Sequence, residues 1–170
     1  MIEEISRTYL EIKSINNLHE VKKPIGNYSV NLVNPADFQL NKFLYKQIGQ
    51  KYFWKDRLEW SNENWIEYVS DKKLSTYVLK NDDEFIGYFE LIFHETKSEA
   101  EIAYFGILED YYGKKLGGYL LSYAIKKAFE LNIKRIWLHT CSLDHKNALK
   151  NYLSRGMVVF KSEILKIKVA

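Results

Sequence analysis

Glycines and lysines crowd the start of one predicted helix, and this arrangement is suited to binding a phosphate. Gly113, Gly117 and Gly118 stand with Lys114 and Lys115 where an apolar strand turns into a helix. Glycine leaves the backbone N–H groups unshielded, and the positive end of the helix dipole lies at the same place. The two lysines add positive charge. The turn is therefore predicted to bind an anion.

Spacing excludes two nucleotide-binding patterns at this turn. The Rossmann pattern needs G-x-G-x-x-G, whereas the glycines here fall at 113, 117 and 118. The strand that follows, Arg135 to Cys141, also ends without the ribose-binding acid that is usual in that fold. A Walker loop places Lys-Ser or Lys-Thr after its last glycine, but Tyr119 and Leu120 follow here.

The same stretch resembles motif A of the GNAT acyltransferases, Gln/Arg-x-x-Gly-x-Gly/Ala, which holds the pyrophosphate of acetyl-CoA. Gly117 falls on the second motif glycine, but Tyr112 stands at the Gln/Arg position and Lys115 replaces the first glycine. Lys115 must therefore keep a negative φ or accept a modest conformational cost. The resemblance implies acetyl-CoA as co-substrate, bound by Phe105, Gly106, Ile107, Gly113, Lys114, Lys115, Leu116, Gly117 and Gly118.

Acetyl transfer to an amine requires a base, and the chain offers candidate carboxylates. Glu101 stands at the head of the central strand, where alternation places it on the same side as Phe105, provided that no bulge intervenes. The alternative to a catalytic base is a solvated glutamate at a strand end. The segment 101–107 is similar to the part of the histone-type GNAT enzymes that carries their general base, which implies that role for Glu101. Glu90, in the preceding strand, is the reserve base, and His139 is a weaker one.

Tyr152 is the candidate for the acid that protonates the departing thiolate. The spacing Ala148-x-x-x-Tyr152-x-x-x-Gly156-Met157 resembles the end of GNAT motif B, with Met in place of Phe. The tyrosine of that motif commonly lies beside the sulfur of CoA, so the resemblance implies a catalytic and cofactor-binding role. A tyrosine that only packs in the core is the alternative. His145 stands where that motif usually has Asn.

Other chemistries have less support from the residues. The backbone N–H groups from Phe105 to Ile107 are candidate oxyanion donors where the two central strands part, as they do in the GNAT family. Cys141 and His139 would share a strand face, but no third group orients them for thiol catalysis. The chain's 4 histidines and 1 cysteine show no metal-ligand spacing, and no metal is predicted.

A mixed sheet is needed to position these residues. Antiparallel strands in the first half, then strand–helix alternation, predict an α/β arrangement with helices on both faces. This is also the element order of the GNAT acyl-CoA N-acyltransferase fold. The predicted elements are strands 8–12 and 28–33, a helix opened by Asn34-Pro35 and ending near 49, a helix capped by Ser61 through Val69, strands 74–80 and 85–94, the central strand 102–108, a helix 116–131, a strand 135–141, a helix to 155 and a strand from 158.

Length and composition predict a soluble protein with one domain, residues 1–170. Hydrophobic residues make up 46% of the chain, which is too many for a disordered protein. The net charge is +3 with scattered basic pairs, so a nucleic-acid partner is not expected. The single cysteine fits a reducing compartment, and no apolar run is long enough to span a membrane. We expect a cytoplasmic location.

Further segments are similar to a bacterial GNAT subgroup of unassigned substrate, among them residues 43–49, 54–60 and 139–145. In GNAT folds the connection between the first two helices lies over the acceptor site. The resemblance therefore implies acceptor contacts from Trp54, Asp56, Arg57 and Trp60, with Glu90 as a further candidate. A loop that is simply anchored by its two tryptophans is an equal alternative.

The sequence thus predicts an N-acetyltransferase of the GNAT fold that uses acetyl-CoA by direct attack in a ternary complex. The acceptor is a small-molecule amine or an amine of a peptide or protein, and the enzyme is a monomer or a homodimer. Two other functions stay open. One is a non-catalytic CoA-binding regulatory or interaction module on the same fold, suggested by the motif A departures; the other is nucleic-acid binding.

Overall fold

A mixed seven-stranded sheet forms the centre of the protein in the computed structural model, which describes residues 1–168. The strands lie in the order β2-β3-β4-β5-β6-β1-β7, in which β5 and β6 run parallel and the other neighbours are antiparallel. The elements are β1 Ile2–Ile12, β2 Tyr28–Leu32, α1 Phe38–Gly49, α2 Asn62–Val69, β3 Leu74–Asn81, β4 Glu84–His94, β5 Glu99–Ile107, α3 Leu116–Phe129, β6 Arg135–Cys141, α4 Ala148–Ser154 and β7 Val158–Lys168.

Helices cover both faces of the sheet, as predicted. Val78 and Leu79 are consecutive on β3 and therefore point to opposite faces. Leu79 belongs to the large core that includes α3, whereas Val78 packs with Leu44 and Ile48 of α1. None of the helices in residues 1–168 is long and apolar enough to cross a membrane.

Side-chain caps decide where the two helices before β3 begin. Ser61 caps α2 by accepting a hydrogen bond from the Asn64 N–H, which confirms the predicted start. The prediction for α1 was wrong at its start, because the helix begins at Phe38 and not at Pro35. The Asp37 carboxylate accepts hydrogen bonds from the first turn there, and a carboxylate is a strong N-cap.

The first strand of the chain lies inside the sheet, between β6 and β7, and this position was not predicted. β1 is antiparallel to both neighbours, with Arg7 opposite Cys141 on one side and Glu163 on the other. It begins at Ile2, well before the predicted start at residue 8. Residues 2–6 pair only with β7, so a partner distant in sequence, and not the local pattern, makes them a strand.

Candidate active site

A gap opens between the two parallel strands at the centre of the sheet. The pairing of β5 with β6 ends at Glu101 and Trp137, although both strands continue. The Leu108 N–H donates to the Ile86 carbonyl on the β4 side at 2.8 Å. Because N–H directions alternate along a strand, those of Ile107 and Phe105 point into the gap. They are available as hydrogen-bond donors.

The glycine turn before α3 keeps its shape despite the lysine in its motif. Lys115 has a φ of 62° and is the N-cap of α3. A non-glycine residue adopts this left-handed conformation at some cost. Lys115 therefore accepts that cost and does not keep a negative φ. Gly113 has a φ of 79°, and a Cβ there would meet no atom within 4 Å. The turn is therefore open above its backbone.

One cavity of about 670 Å³ joins the glycine turn, the gap and the loop between α1 and α2. Most of the predicted site residues line it: Trp54, Asp56, Arg57, Trp60, Glu101, Phe105, Gly106, Ile107, Gly113, Lys115, Leu116, Gly117 and Tyr152. Lys114, Gly118 and Glu90 do not. Lys114 lies 5.1 Å from the Tyr111 ring centroid, and Gly118 packs under Val21 and Arg155. The small size of Gly118 therefore serves helix packing.

Tyr112, at the Gln/Arg position of motif A, takes part in an aromatic cluster at the cavity wall. Its hydroxyl lies 2.9 Å from the hydroxyl of Tyr52, and its ring centroid is 4.7 Å from that of His145. The three residues come from the α1–α2 loop, the glycine turn and the β6–α4 loop. His145 Nδ1 also accepts a hydrogen bond from the Asn147 N–H at 3.0 Å. The cluster joins the three segments that border the cavity.

Glu101 faces the cavity from the last position of β5 that pairs with β6, and His94 fixes its carboxylate. The prediction that Glu101 shares a side with Phe105 was wrong, because the pairing with β4 shifts register at Ala103 and the extra residue reverses the alternation. Glu101 Oε1 lies 2.9 Å from His94 Nε2, and the side chain of Glu101 is 18% exposed. The His94 ring is stacked on Trp137 at 15°, which sets its orientation. His94 is not a cavity residue. Glu101 therefore has one oxygen held by His94, and the carboxylate remains accessible from the cavity.

Glu90 is sealed inside the protein, so the geometry does not support its role as reserve base or acceptor contact. The residue is 0% exposed. Its two oxygens accept hydrogen bonds from Tyr68 at 2.7 Å, from Asn41 at 2.9 Å and from Arg57 at 3.1 Å, and the closest Arg57 contact is 2.9 Å. A carboxylate with this many donors is a structural anchor.

Arg57 ties the α1–α2 loop to the sheet through Glu90. Its guanidinium carbon lies 4.0 Å from the ring centroid of Tyr68, 4.3 Å from that of Tyr104 and 4.8 Å from that of Trp60. Burial opposes the charge of Arg57, but the attraction of Glu90 outweighs it and raises the pKa of the guanidinium. Arg57 stays charged, and the loop is held over the cavity.

The tryptophans of this loop anchor it and also face the cavity. Trp54 packs on Tyr104 at 4.8 Å between ring centroids, and Trp60 packs on Trp65 at 5.0 Å. Both tryptophans line the cavity, as does Asp56, which is exposed. The two alternatives considered for these tryptophans are therefore compatible.

Tyr152 lines the cavity from α4. The residue is 7% exposed, and its ring lies edge-on to Phe105 at 6.2 Å. Burial raises the pKa of the phenol, and the nearby charge of Asp144 adds to this effect. The phenol is therefore a weaker acid than free tyrosine, whose pKa of about 10 already exceeds the thiol value of about 8.5. Such a phenol is better suited to donating a hydrogen bond than to giving up its proton.

We expect Tyr152→Phe to lower turnover at least about tenfold while acetyl-CoA still binds, because only the hydroxyl is lost and the ring volume is kept. Steady-state kinetics with a calorimetric binding measurement will check this. Tyr119→Phe on α3, which lies outside this cavity, is the matched control. Unchanged turnover in a folded Tyr152→Phe variant would mean that the residue only packs.

The geometry disfavours nucleophilic catalysis by Cys141. Burial raises the pKa of the Cys141 thiol, and a nucleophilic cysteine requires the opposite shift. Its N–H donates to Asp144 at 2.9 Å, in a turn that also holds Thr140. Burial lowers the pKa of His139, and the charge of Arg7 lowers it further, so His139 is a neutral imidazole that faces the cavity. Within residues 1–168 no cluster of three or more possible ligands suits a metal.

Several residues of the site were not found from the sequence. Tyr52, which lines the cavity, and His94, which holds Glu101 from outside it, owe their positions to contacts with residues distant along the chain. Nothing in their local pattern marks them. Arg7 reaches the cavity because β1 lies beside β6. Asn151, one residue before Tyr152 in the motif B helix, also lines the cavity, and that proximity was a usable signal.

Comparison with known proteins agrees with this geometry. The model of the acetyltransferase (GNAT) family matches residues 39–157, which include β5, the glycine turn and Tyr152. No curated protein matches the chain. The chain belongs to the acetyltransferase (GNAT) family. The resemblance found from motifs A and B is thereby confirmed.

Solved structures share the fold at low sequence identity. A GCN5-related N-acetyltransferase from Sphaerobacter thermophilus has a TM-score of 0.74 at 14% identity, covering 95% of this chain and 50% of that one. One from Kribbella flavida has a TM-score of 0.65 at 17%, covering 97% and 58%. The aminoglycoside acetyltransferase meta-AAC0020 from an uncultured soil metagenomic sample has a TM-score of 0.63 at 12%, covering 76% and 87%. The chain thus spans 50% and 58% of the lengths of the first two structures.

Proposed function

We propose that this protein transfers the acetyl group of acetyl-CoA to a primary amine by direct attack. The observation that carries the proposal is the single cavity that connects the glycine turn to Glu101 through the gap between β5 and β6. Three separate requirements of the reaction meet there: a phosphate site, donors for an oxyanion and a base.

The residues at the glycine turn fit the phosphates of acetyl-CoA. A Cβ at Gly117 would meet only Asn151 Nδ2 at 3.5 Å and Ile107 at 3.9 Å, so the helix start is accessible from the cavity. Backbone N–H groups at a helix start, the helix dipole and Lys115 all favour an anion. Acetyl-CoA supplies the acetyl group as a thioester.

Each step of the transfer has a residue in the cavity. Glu101, directly or through a water, takes the proton from the acceptor ammonium so that the nitrogen lone pair can form the new N–C bond. The N–H groups of Phe105 and Ile107 stabilise the negative charge that develops on the carbonyl oxygen. Tyr152 donates a hydrogen bond to the sulfur as the C–S bond breaks.

A CoA-binding module without turnover is the alternative, and it was suggested by Tyr112 and Lys115. Lys115 nevertheless adopts the left-handed conformation that glycine adopts readily, so its side chain does not abolish the turn. Turnover of acetyl-CoA with any amine acceptor separates the two functions. Aminoglycosides, the substrates named for one structural neighbour, belong in the acceptor screen.

Acetyl-CoA at about a hundred times its Kd is expected to stabilise the protein by about 2.7 kcal/mol, because it binds the folded state alone. In Gly117→Glu this gain falls, since the carboxylate repels the pyrophosphate while the helix start tolerates the acid. Thermal melting with and without ligand measures both. Ser162→Glu adds the same charge on exposed β7 and is the control. The cofactor assignment is lost if saturating acetyl-CoA leaves the wild-type melting temperature unchanged.

A further inference from the structure

Arg7 is a charged residue of the cavity whose hydrogen-bonding capacity is largely unused. It lies on β1 opposite Cys141, and both residues line the cavity. Its contact with Glu163, from Nη1 to Oε1, is 3.8 Å long, beyond hydrogen-bond distance. That oxygen already accepts a hydrogen bond from Tyr9 at 2.7 Å. The Nε atom of Arg7 is buried without a partner among the described residues.

Arg7 differs in this respect from Arg57, the other arginine of the cavity. Both oxygens of Glu90 lie within 3.1 Å of Arg57 Nη1, so that guanidinium is satisfied from within the protein. The side chain of Arg7 is 30% exposed, and a guanidinium has five N–H donors. A ligand carboxylate would satisfy donors that the protein leaves unused.

The charges at this end of the cavity have opposite signs on its two sides. Glu101 is on β5 and Arg7 on β1, the two strands that flank β6, and both line the same cavity as His139. Burial lowers the pKa of His139 most, and the positive charge of Arg7 is the next largest cause that lowers it. The negative charge of Glu101 raises the pKa of the same imidazole. The charges of Arg7 and Glu101 therefore both act on His139.

An apolar wall lies beside Arg7. Ile5 precedes it by two residues on β1, points to the same face and is 6% exposed. Ile167 from β7 also lines the cavity, and so does Ile92, which lies opposite Glu101 on β4. The space beside Glu101 and Arg7 thus suits an apolar group.

We propose that the acceptor is a free amino acid with an apolar side chain. Its ammonium group lies at Glu101, its carboxylate pairs with Arg7, and its side chain packs on Ile5 and Ile167. This inference rests on the proposed acetyl transfer. It selects among the acceptors that the fold allows, because a lysine side chain or the N-terminus of a protein has no carboxylate next to its amine. A polyamine would place positive charge against Arg7 and against Lys168, the last residue of β7, which also lines the cavity.

Three probe amines that differ in one group test the carboxylate. They are L-leucine, L-leucinamide and 3-methylbutylamine, which carry a carboxylate, a neutral amide and a hydrogen at the same carbon. A charge-assisted hydrogen bond contributes about 10- to 100-fold. We expect kcat/KM for leucine to exceed that for each of the other two amines by this factor. Equal values for the three amines, or a preference for 3-methylbutylamine, would overturn the proposal.

Arg7→Gln assigns the effect to the residue. The variant is expected to lower kcat/KM for leucine about 10- to 100-fold and to leave leucinamide and 3-methylbutylamine within about threefold. Leucine binding, measured by calorimetry in the presence of CoA, should weaken by the same factor. Lys161→Gln is the matched control, because Lys161 approaches the same Glu163 at 3.8 Å but does not line the cavity. An equal loss for all three amines in Arg7→Gln would reject the pairing.

The proposed acetyl transfer and the assignment of an amino acid as acceptor fail in different ways. If acetyl-CoA binds and other amines are acetylated but leucine is not, the amino acid assignment is wrong and the proposed function stands. If acetyl-CoA does not bind, the proposed function is wrong, and the leucine assignment fails with it. The melting temperature of Arg7→Gln, compared with that of the wild type, shows whether the variant is folded.

Discussion

Replacing Glu101 by Gln is expected to lower the turnover number by about a hundred- to ten-thousand-fold, the usual loss when a general base is removed. Glutamine keeps the shape of the side chain and an oxygen that can accept the hydrogen bond of His94 Nε2. It cannot take a proton from the acceptor ammonium. The KM for acetyl-CoA should change little, because the glycine turn is formed by a different segment. Steady-state kinetics with both substrates varied will show this pattern.

Glu99→Gln is the matched control for this experiment. Glu99 lies two residues before Glu101 on the same face of β5, is held by Arg135 at 3.0 Å and does not line the cavity. The control should retain turnover. If Glu101→Gln itself keeps wild-type turnover near neutral pH, the base is another group. His139 is then the next candidate, since it faces the cavity as a neutral imidazole and Glu90 is sealed.

Replacing Arg57 by Met is expected to cost about 3–5 kcal/mol of unfolding free energy, because it leaves Glu90 buried without its counter-charge. Arg57 is 6% exposed and Glu90 is 0% exposed, so water does not screen the pair. Methionine keeps most of the side-chain volume between Tyr68 and Tyr104. Urea unfolding, followed by tryptophan fluorescence, measures the change.

A double variant separates loss of charge balance from loss of packing. In Arg57→Met/Glu90→Gln no uncompensated charge is buried, so we expect it to recover most of the lost stability. Lys55→Met is the control within the same loop, because Lys55 is exposed and its Nζ lies over the ring of Phe53 at 3.8 Å. That change should cost at most about 1 kcal/mol. Equal urea midpoints for Arg57→Met and the wild type would show that the buried pair does not stabilise the fold.

Local signals were sufficient for most elements of the fold. Ser61 marked the start of α2 because its hydroxyl caps the helix, and the apolar segment 135–141 was predicted with the bounds that the structure has. The start of α1 was misplaced because the prediction rested on Asn34-Pro35 as the capping signal. The structure shows that Asp37, two residues after the proline, caps the helix. The order of the strands depends on pairing over long distances, which no local pattern contains.

Within the candidate site, too, some residues were predicted from local signals and others were not. Glu101, Gly117 and Tyr152 were predicted because each lies at a fixed place within a motif of one segment, and all three line the cavity. Glu90 was misjudged because the local sequence around a mid-strand glutamate does not show whether its side chain faces a cavity or an internal arginine. Its partner Arg57 comes from a loop. The sequence pattern does not contain the contacts between segments, and the burial of a side chain depends on those contacts.

The position of β1 inside the sheet also bears on how the protein is made. A ribosome synthesises β1 before β6 and β7, so Arg7 cannot meet its partner on β6 until residue 141 has been added, nor its partner on β7 until residue 163. Leu10 and Ile12, which are 0% and 2% exposed in the finished protein, have no sheet to join during that interval. Closing such long loops is also the slow part of folding. The strand that supplies one wall of the cavity is therefore synthesised before both of its sheet partners, and it stays unpaired until they follow.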